Sequence, residues 1–175
     1  YLEASGWRDR GPDGILVKDG RRLSLRVTYG SPYHTDRLVV LREEAKKAGI
    51  ELELSLLDSA SSFKQMQEKK HQVAWMTWAS QGLSPEYWQF FHSANAHIAQ
   101  TNNLMNHDDP AMDKLIDAYR ASSAKNERVE LAHQLEQMLF DSGAVIPSFE
   151  VPYTREAAWA WIKLPPWLGA RTTDQ

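Results

Sequence analysis

Three consecutive segments constrain the fold of this chain more than any other feature. Leu23, Leu25, Val27 and Tyr29 alternate with Ser24, Arg26 and Thr28. That period of two marks a strand with one buried face. Leu38, Leu41, Ala45 and Ala48 then recur at steps of three and four, on one face of a helix. Thr35 or Asp36 is placed to cap its start, Lys46 and Lys47 fall in its last turn, and Gly49 ends it. Ile50, Leu52, Leu54 and Leu56 alternate once more against Glu51, Glu53 and Ser55. Strand, amphipathic helix and strand in this order form a βαβ unit, with parallel strands and a right-handed crossover.

The flanking sequence extends this α/β pattern. Leu2-Glu3-Ala4-Ser5-Gly6 has the form of a last helical turn with Gly6 as terminator, so the chain reads as a piece of a longer protein. Ile15-Leu16-Val17 followed by Asp19-Gly20 predicts a hairpin. Residues 59–70 are expected to form a helix capped by a serine, and Val73–Trp78 a buried third strand. From Ala79 to Pro110 the pattern is weak, with a short helix near Pro85–Phe91; a segment of this length in a compact domain is commonly functional. Asp109 and Pro110 open a helix that buries Met112, Leu115, Ile116 and Tyr119. Asn126 is expected to cap another, with Val129, Ala132, Leu135 and Leu139 on one face and Gly143 beyond its end. Ala144–Ile146 and Arg155–Ile162 are expected strands, split by Pro147 and Pro152. The expected fold is a single α/β domain over 1–175, a mixed sheet flanked by helices.

Composition excludes several classes of function. The 20 Lys and Arg residues against 23 Asp and Glu give a net charge of −3, unsuited to general phosphate-backbone binding, and nucleic acid is not an expected partner. With no cysteine there is no disulfide, cysteine zinc site or thiol nucleophile. No apolar run approaches the ~20 residues of a membrane span, and the first residues lack a signal-peptide pattern. The histidines do not assemble a metal site by spacing: His92 and His97 are five apart, and Asp109 of His107-Asp108-Asp109 is better placed as a helix cap. Gly11, Gly14 and Gly20 do not form a phosphate loop, and no nucleophile elbow occurs. No catalytic residue, metal ligand or cofactor is therefore assigned, and the chain is not expected to be an enzyme.

The aromatic residues are more informative. Seven tryptophans are many for this length. Trp75 and Trp78 end the third expected strand, and Gln81, Tyr87, Trp88, Phe90 and Phe91 follow within a few residues. Ligands of open α/β sheets bind beyond the carboxyl ends of strands, and binding walls combine apolar surface with a few orienting polar groups. Trp75 reads as core, and Trp78 with the segment 80–87 as ligand contact. Trp88 lies at or under that wall. Asn102-Asn103 presents paired amides, for a ligand or for a turn.

In their order and spacing these pieces resemble the second lobe of family 5 extracellular solute-binding proteins, the peptide- and nickel-binding group that serves ABC importers. The resemblance runs from Leu2–Trp7 through Ser31-Pro32-Tyr33, Ala48-Gly49-Ile50, Trp78 and Asn106–Asp113 to Ala144–Pro147. It implies a periplasmic-binding-protein-like lobe of a two-lobed receptor, periplasmic or on the cell surface as a lipoprotein. The partners would be a peptide-like ligand, an inner-membrane permease and a first lobe not contained in this sequence. Residues 153–175 would return toward that lobe, leaving Tyr153–Trp161 with exposed apolar surface. The ligand-binding residues it implies, together with the aromatic loop, are Ser31, Tyr33, Trp78, Gln81, Tyr87, Trp88, Asn102 and Asn103. Ser31 stands where the dipeptide branch carries an arginine for the peptide carboxylate, and Gln81 where peptide-binding branches carry an aspartate for the amine. Both departures point away from a free dipeptide, and the segment Trp78–Pro85, followed by Arg155 and Trp159-Ala160-Trp161, resembles the branch that imports modified peptides such as microcin C. Two rival functions are a metal-dependent hydrolase built on His92, His97 and His107, and a ligand-sensing domain unconnected with transport.

Overall fold

A computed structural model describes residues 1–77, 85–149, 159, 161 and 163. The chain divides into a compact unit, Tyr1–Val145, and a C-terminal unit, Ile146–Gln175. The first unit carries two separate three-stranded sheets, so the parallel and antiparallel pairings expected of one mixed sheet are segregated.

The smaller sheet is antiparallel, in the order β1 (Asp9–Arg10), β2 (Leu16–Lys18), β3 (Arg21–Arg22), and turns at Asp19-Gly20 as the sequence predicts. Before it, the Trp7 amide reaches back to the Leu2 carbonyl and the Gly6 amide to Glu3, the paired bonds that close a helical turn.

The second sheet is parallel, in the order β5 (Glu51–Leu56), β4 (Ser24–Tyr29), β6 (Val73–Trp75). β4, first in sequence, lies in the centre. α1 (Thr35–Ala48) carries the chain to one side of it, and α2 (Ser59–Gln67) carries it back across to the other. Right-handed crossovers in opposite directions place the two helices on opposite faces. The side chains of β4 agree: Val27 and Tyr29 pack with Leu38 of α1, while Thr28 faces the other way, its Oγ1 3.5 Å from Gln65 Oε1 of α2. Three consecutive residues of β4 are therefore buried, where a half-exposed strand would bury alternate ones.

The remaining helices form a second core. α3 (Trp88–Phe91), α4 (Pro110–Ala121) and α5 (Lys125–Ser142) bury Tyr87, Phe91, Met112, Ile116, Tyr119, Leu135 and Leu139 together. Asp109 caps α4 as expected, accepting from the Ala111 amide at 2.8 Å with Pro110 in the first turn.

Several local expectations are corrected. α1 is capped by neither Thr35 nor Asp36: the chain enters it through a 3-10 turn, Pro32–His34, so Thr35 is already helical and its hydroxyl meets Tyr29 Oη at 3.2 Å. Only Leu38 of the expected apolar stripe is fully covered, and Leu41 is 45% exposed. Asp58, not a serine, caps α2, accepting from the Ser61 amide at 2.9 Å. β6 stops at Trp75 and is half-buried, because Trp75 pairs with Tyr29 and β4 ends there; Met76 and Thr77 have no ladder to join. α5 begins after Ala124 without a side-chain cap, so Asn126 lies inside it. Residues 144–146 leave the left-handed Gly143 without forming a strand. In the C-terminal unit, Ile146, Phe149, Trp159 and Trp161 are exposed. The rest of the expected strand at 155–162 lies outside the described residues.

Candidate functional site

β4 and β6 are neighbouring parallel strands, so their carboxyl ends lie side by side, at the edge of an open sheet where α/β proteins bind ligands. The loop after β4 begins Gly30-Ser31 and runs through the Pro32–His34 turn into α1. The loop after β6 begins Met76-Thr77; Trp78 and Gln81, which it carries next, lie outside the described residues. A Cβ at Gly30 would lie 3.0 Å from Ser59 Cα, and Ser59 Oγ donates to the Gly30 carbonyl at 2.9 Å, so the start of α2 is fastened against this strand end.

Ser31 is partly exposed with extended backbone. Tyr33 is 73% exposed, unusual for a large ring in a tight turn. A ladder of rings joins it to the neighbouring strand: Tyr33 to His34 at 5.5 Å, edge-on, and His34 to Trp75 at 5.9 Å. On Tyr33 itself, the Arg37 guanidinium sits 5.0 Å from the ring centroid, one Nη2 3.5 Å from the phenol oxygen. His34 Nδ1 is shut from solvent without a hydrogen-bond partner. In the sequence His34 reads as an ordinary surface or rim group at a helix start, and nothing singles out Arg37. The i,i+4 spacing of Tyr33 and Arg37 at a helix start was the signal that could have found the pair.

The other four expected contacts lie in the helical part. Tyr87 is a core residue, 5% exposed, edge-on to Tyr119 at 5.1 Å, its hydroxyl donating to Glu136 at 3.4 Å. Burial, with Glu136 beside it, holds its phenol above the usual tyrosine range. Trp88 is half-buried beneath the Arg120 guanidinium, 4.9 Å from the ring. Asn103 is fully buried: its amide donates to the carbonyls of His92 (3.2 Å) and His107 (2.8 Å), and its oxygen accepts from the His107 amide (2.8 Å). Every polar group of that side chain serves the loop. Asn102 remains partly exposed, its amide donating to Gln89 at 3.1 Å.

This asparagine loop is gripped from α2. Lys69, just past the helix end, donates from Nζ to the Thr101 carbonyl (3.2 Å), the Thr101 hydroxyl (3.1 Å) and the Asn103 carbonyl (2.6 Å). Desolvation lowers its pKa. His71 beside it is lowered too, by burial first and then by the Lys69 charge, and its Nδ1 has no partner. No sequence pattern marks Lys69, since the groups it holds are more than thirty residues away.

Among the described residues no group of three metal-ligating side chains could hold an ion. His92 Nδ1 accepts from the Ala94 amide at 3.0 Å and caps a short turn, while Asp113 accepts from the Ser93 amide at 2.9 Å. His97 lies 3.8 Å from Asp108, and His107 stands edge-on to Phe91. The three histidines of the hydrolase alternative thus have separate local roles. No helix among the described residues is long and apolar enough to cross a membrane.

Parallel sheet, crossover helices and strand-end loops define a domain of the periplasmic-binding-protein type. No family model matches the chain. It is 28% identical over 141 residues to the oligopeptide-binding protein AppA of Bacillus subtilis strain 168, which covers 78% of this chain and 25% of AppA. The solved structure of B. subtilis AppA in complex with a nonapeptide superposes with a TM-score of 0.73 at 26% identity, covering 82% of this chain and 29% of that one. NikZ from Campylobacter jejuni, solved with Ni(L-His), superposes at 0.70 with 21% identity, over 82% of this chain and 29% of NikZ, a likeness of fold. The chain is similar to the family 5 peptide- and nickel-type ABC solute-binding proteins, as its sequence suggested. It spans about a quarter of the length of the curated relatives it matches, and those relatives are binding proteins.

Proposed function

We propose that this chain is the second lobe of a two-lobed receptor that captures a peptide-like or modified-peptide solute for an ABC importer. The carrying observation is at the carboxyl ends of two adjacent parallel strands: the loop after β4 exposes a tyrosine ring that a ladder of rings ties to β6. Relatedness to oligopeptide-binding AppA supports the solute class. In this proposal Tyr33 and Ser31 face the ligand from the loop after β4, Trp78 and Gln81 from the loop after β6, and Asn102 from the loop held by Lys69. Tyr87, Trp88 and Asn103 support that wall from behind. The first lobe closes over the ligand by a hinge motion, the closed receptor delivers it to the permease, and the protein works in the periplasm or at the cell surface.

The test is calorimetry on the full-length gene product with a peptide and glycopeptide library. Tyr33→Ala and Trp78→Ala each lower affinity for the best ligand by about 1–3 kcal/mol, the size of a lost stacking ring at a binding hot spot. Unchanged affinity in both variants would sink the site assignment, and an absence of binding to any library member would sink the solute class.

A further inference from the structure

The loop after β4 presents a charged group as well as a ring. Arg37 lies across the exposed face of Tyr33, 5.0 Å from the centroid, with one Nη2 3.5 Å from the phenol oxygen. Tyr33 and Arg37 are both exposed, and the ring ladder through His34 to Trp75 places them at the mouth between β4 and β6. Contact with the ring and the bond to the phenol oxygen restrict the guanidinium, whose fork carries further N–H donors besides the one the phenol takes. That arrangement suits recognition of a planar anion, because a guanidinium already restricted by the ring loses less freedom on meeting a carboxylate. Arg37 also has an interaction beyond these two, so an incoming anion joins or displaces an existing partner.

We propose that Arg37, held on Tyr33, is the anion-recognising residue of this site and selects solutes bearing a carboxylate. The inference rests on the solute-receptor function proposed above. Ser31, at the strand end, has no charge to offer an anion. The guanidinium comes instead from the first turns of α1, farther along the chain, and meets a carboxylate displaced from the strand end by the thickness of the tyrosine ring.

The experiment compares two pentapeptide libraries on the full-length gene product, one of free acids and one of the same peptides as C-terminal amides, read by native mass spectrometry and calorimetry. A third library, with amidated C-termini and one glutamate, separates a terminal from a side-chain carboxylate. The wild-type protein is expected to favour carboxylate-bearing ligands over their neutral counterparts by tenfold or more. Arg37→Gln brings that preference to within twofold. Arg37→Lys retains a reduced preference, since the charge remains and the fork does not. A wild-type preference below twofold, or one that survives Arg37→Gln, overturns the proposal and leaves the receptor function standing. Failure to bind any of the three libraries overturns the proposal, and the receptor function falls with it only if the peptide and glycopeptide library above also fails. Circular dichroism and the unfolding midpoint of each variant show whether an exposed substitution has disturbed the fold.

Discussion

Two glycines end helices in the same backbone conformation but in different surroundings, and together they separate two energies. Gly49 closes α1 at φ +90°, and Gly143 closes α5 at φ +66°. A Cβ at Gly49 would lie 2.7 Å from Leu16 Cγ and 2.7 Å from Arg10 Nη1; at Gly143 it would meet nothing within 4 Å. Gly49 is where the antiparallel hairpin docks: the Leu16 amide donates to the Gly49 carbonyl at 2.8 Å, Arg10 reaches the Ala48 carbonyl at 3.4 Å, and Leu16 is buried. Gly143→Ala therefore meets only the left-handed strain of an L-residue, about 1–2 kcal/mol. Gly49→Ala meets the same strain plus the displacement of Leu16, an overpacking cost of about 1–3 kcal/mol. Its total is about 2–5 kcal/mol, a large part of the about 5–15 kcal/mol that stabilises a typical domain. In thermal terms that is a drop of about 4–20 °C, at about 2–4 °C per kcal/mol. Urea unfolding followed by tryptophan fluorescence is the assay, with the slope checked for equality so that midpoints report stability. Equal midpoints for the two variants would refute the claim that the hairpin is packed onto Gly49.

Three further outcomes follow from single side chains. Asn103→Ala removes three buried hydrogen bonds and is expected to destabilise by about 2–4 kcal/mol, with hydrogen exchange rising first at residues 101–107. Tyr87→Phe loses only the bond to Glu136, about 0.5–1.5 kcal/mol of stability, and leaves affinity for any ligand unchanged; a fall in affinity would return Tyr87 to the binding surface. His71 has a folded-state pKa below its ordinary 6.5, so the unfolded chain takes up the proton first as pH falls. Its contribution is complete above that value and is lost as pH drops through 6.5 toward the folded pKa, and His71→Leu should flatten this part of a stability–pH curve measured by urea titration.

The fold was legible where one period repeated long enough. The alternation of β4 and β5 around an amphipathic α1 predicted a parallel βαβ unit, and that unit supplies the central strand and one of its two neighbours. The Asp19-Gly20 turn and the Asp109-Pro110 helix start were legible because each is a local rule obeyed locally. The end of β6 was not: Val73–Trp78 is apolar except for Thr77, but a strand persists only while its neighbour does, and β4 stops at Tyr29. Caps were misassigned for a similar reason. Thr35 looked like a cap until Pro32 started the helical path early, and Asn126 until the chain turned into α5 at Ala124. At the site, the aromatic loop pointed to Tyr87 and the family resemblance to Tyr33, yet Tyr87 is core and Tyr33 is exposed. Burial depends on which helices pack over a ring, and that is set by residues far away in sequence.

Lys69 has a consequence for how such a site can change. Its ammonium holds the main-chain oxygens of Thr101 and Asn103, and only one of its three bonds goes to a side chain. Main-chain oxygens are present whatever residue occupies a position. The residue between them, Asn102, can therefore be exchanged without releasing the grip, so its side chain is an adjustable element on a fixed mount. A lineage that keeps Lys69 and the buried amide of Asn103 can try new chemistry at position 102 one substitution at a time, with the shape of the loop preserved throughout.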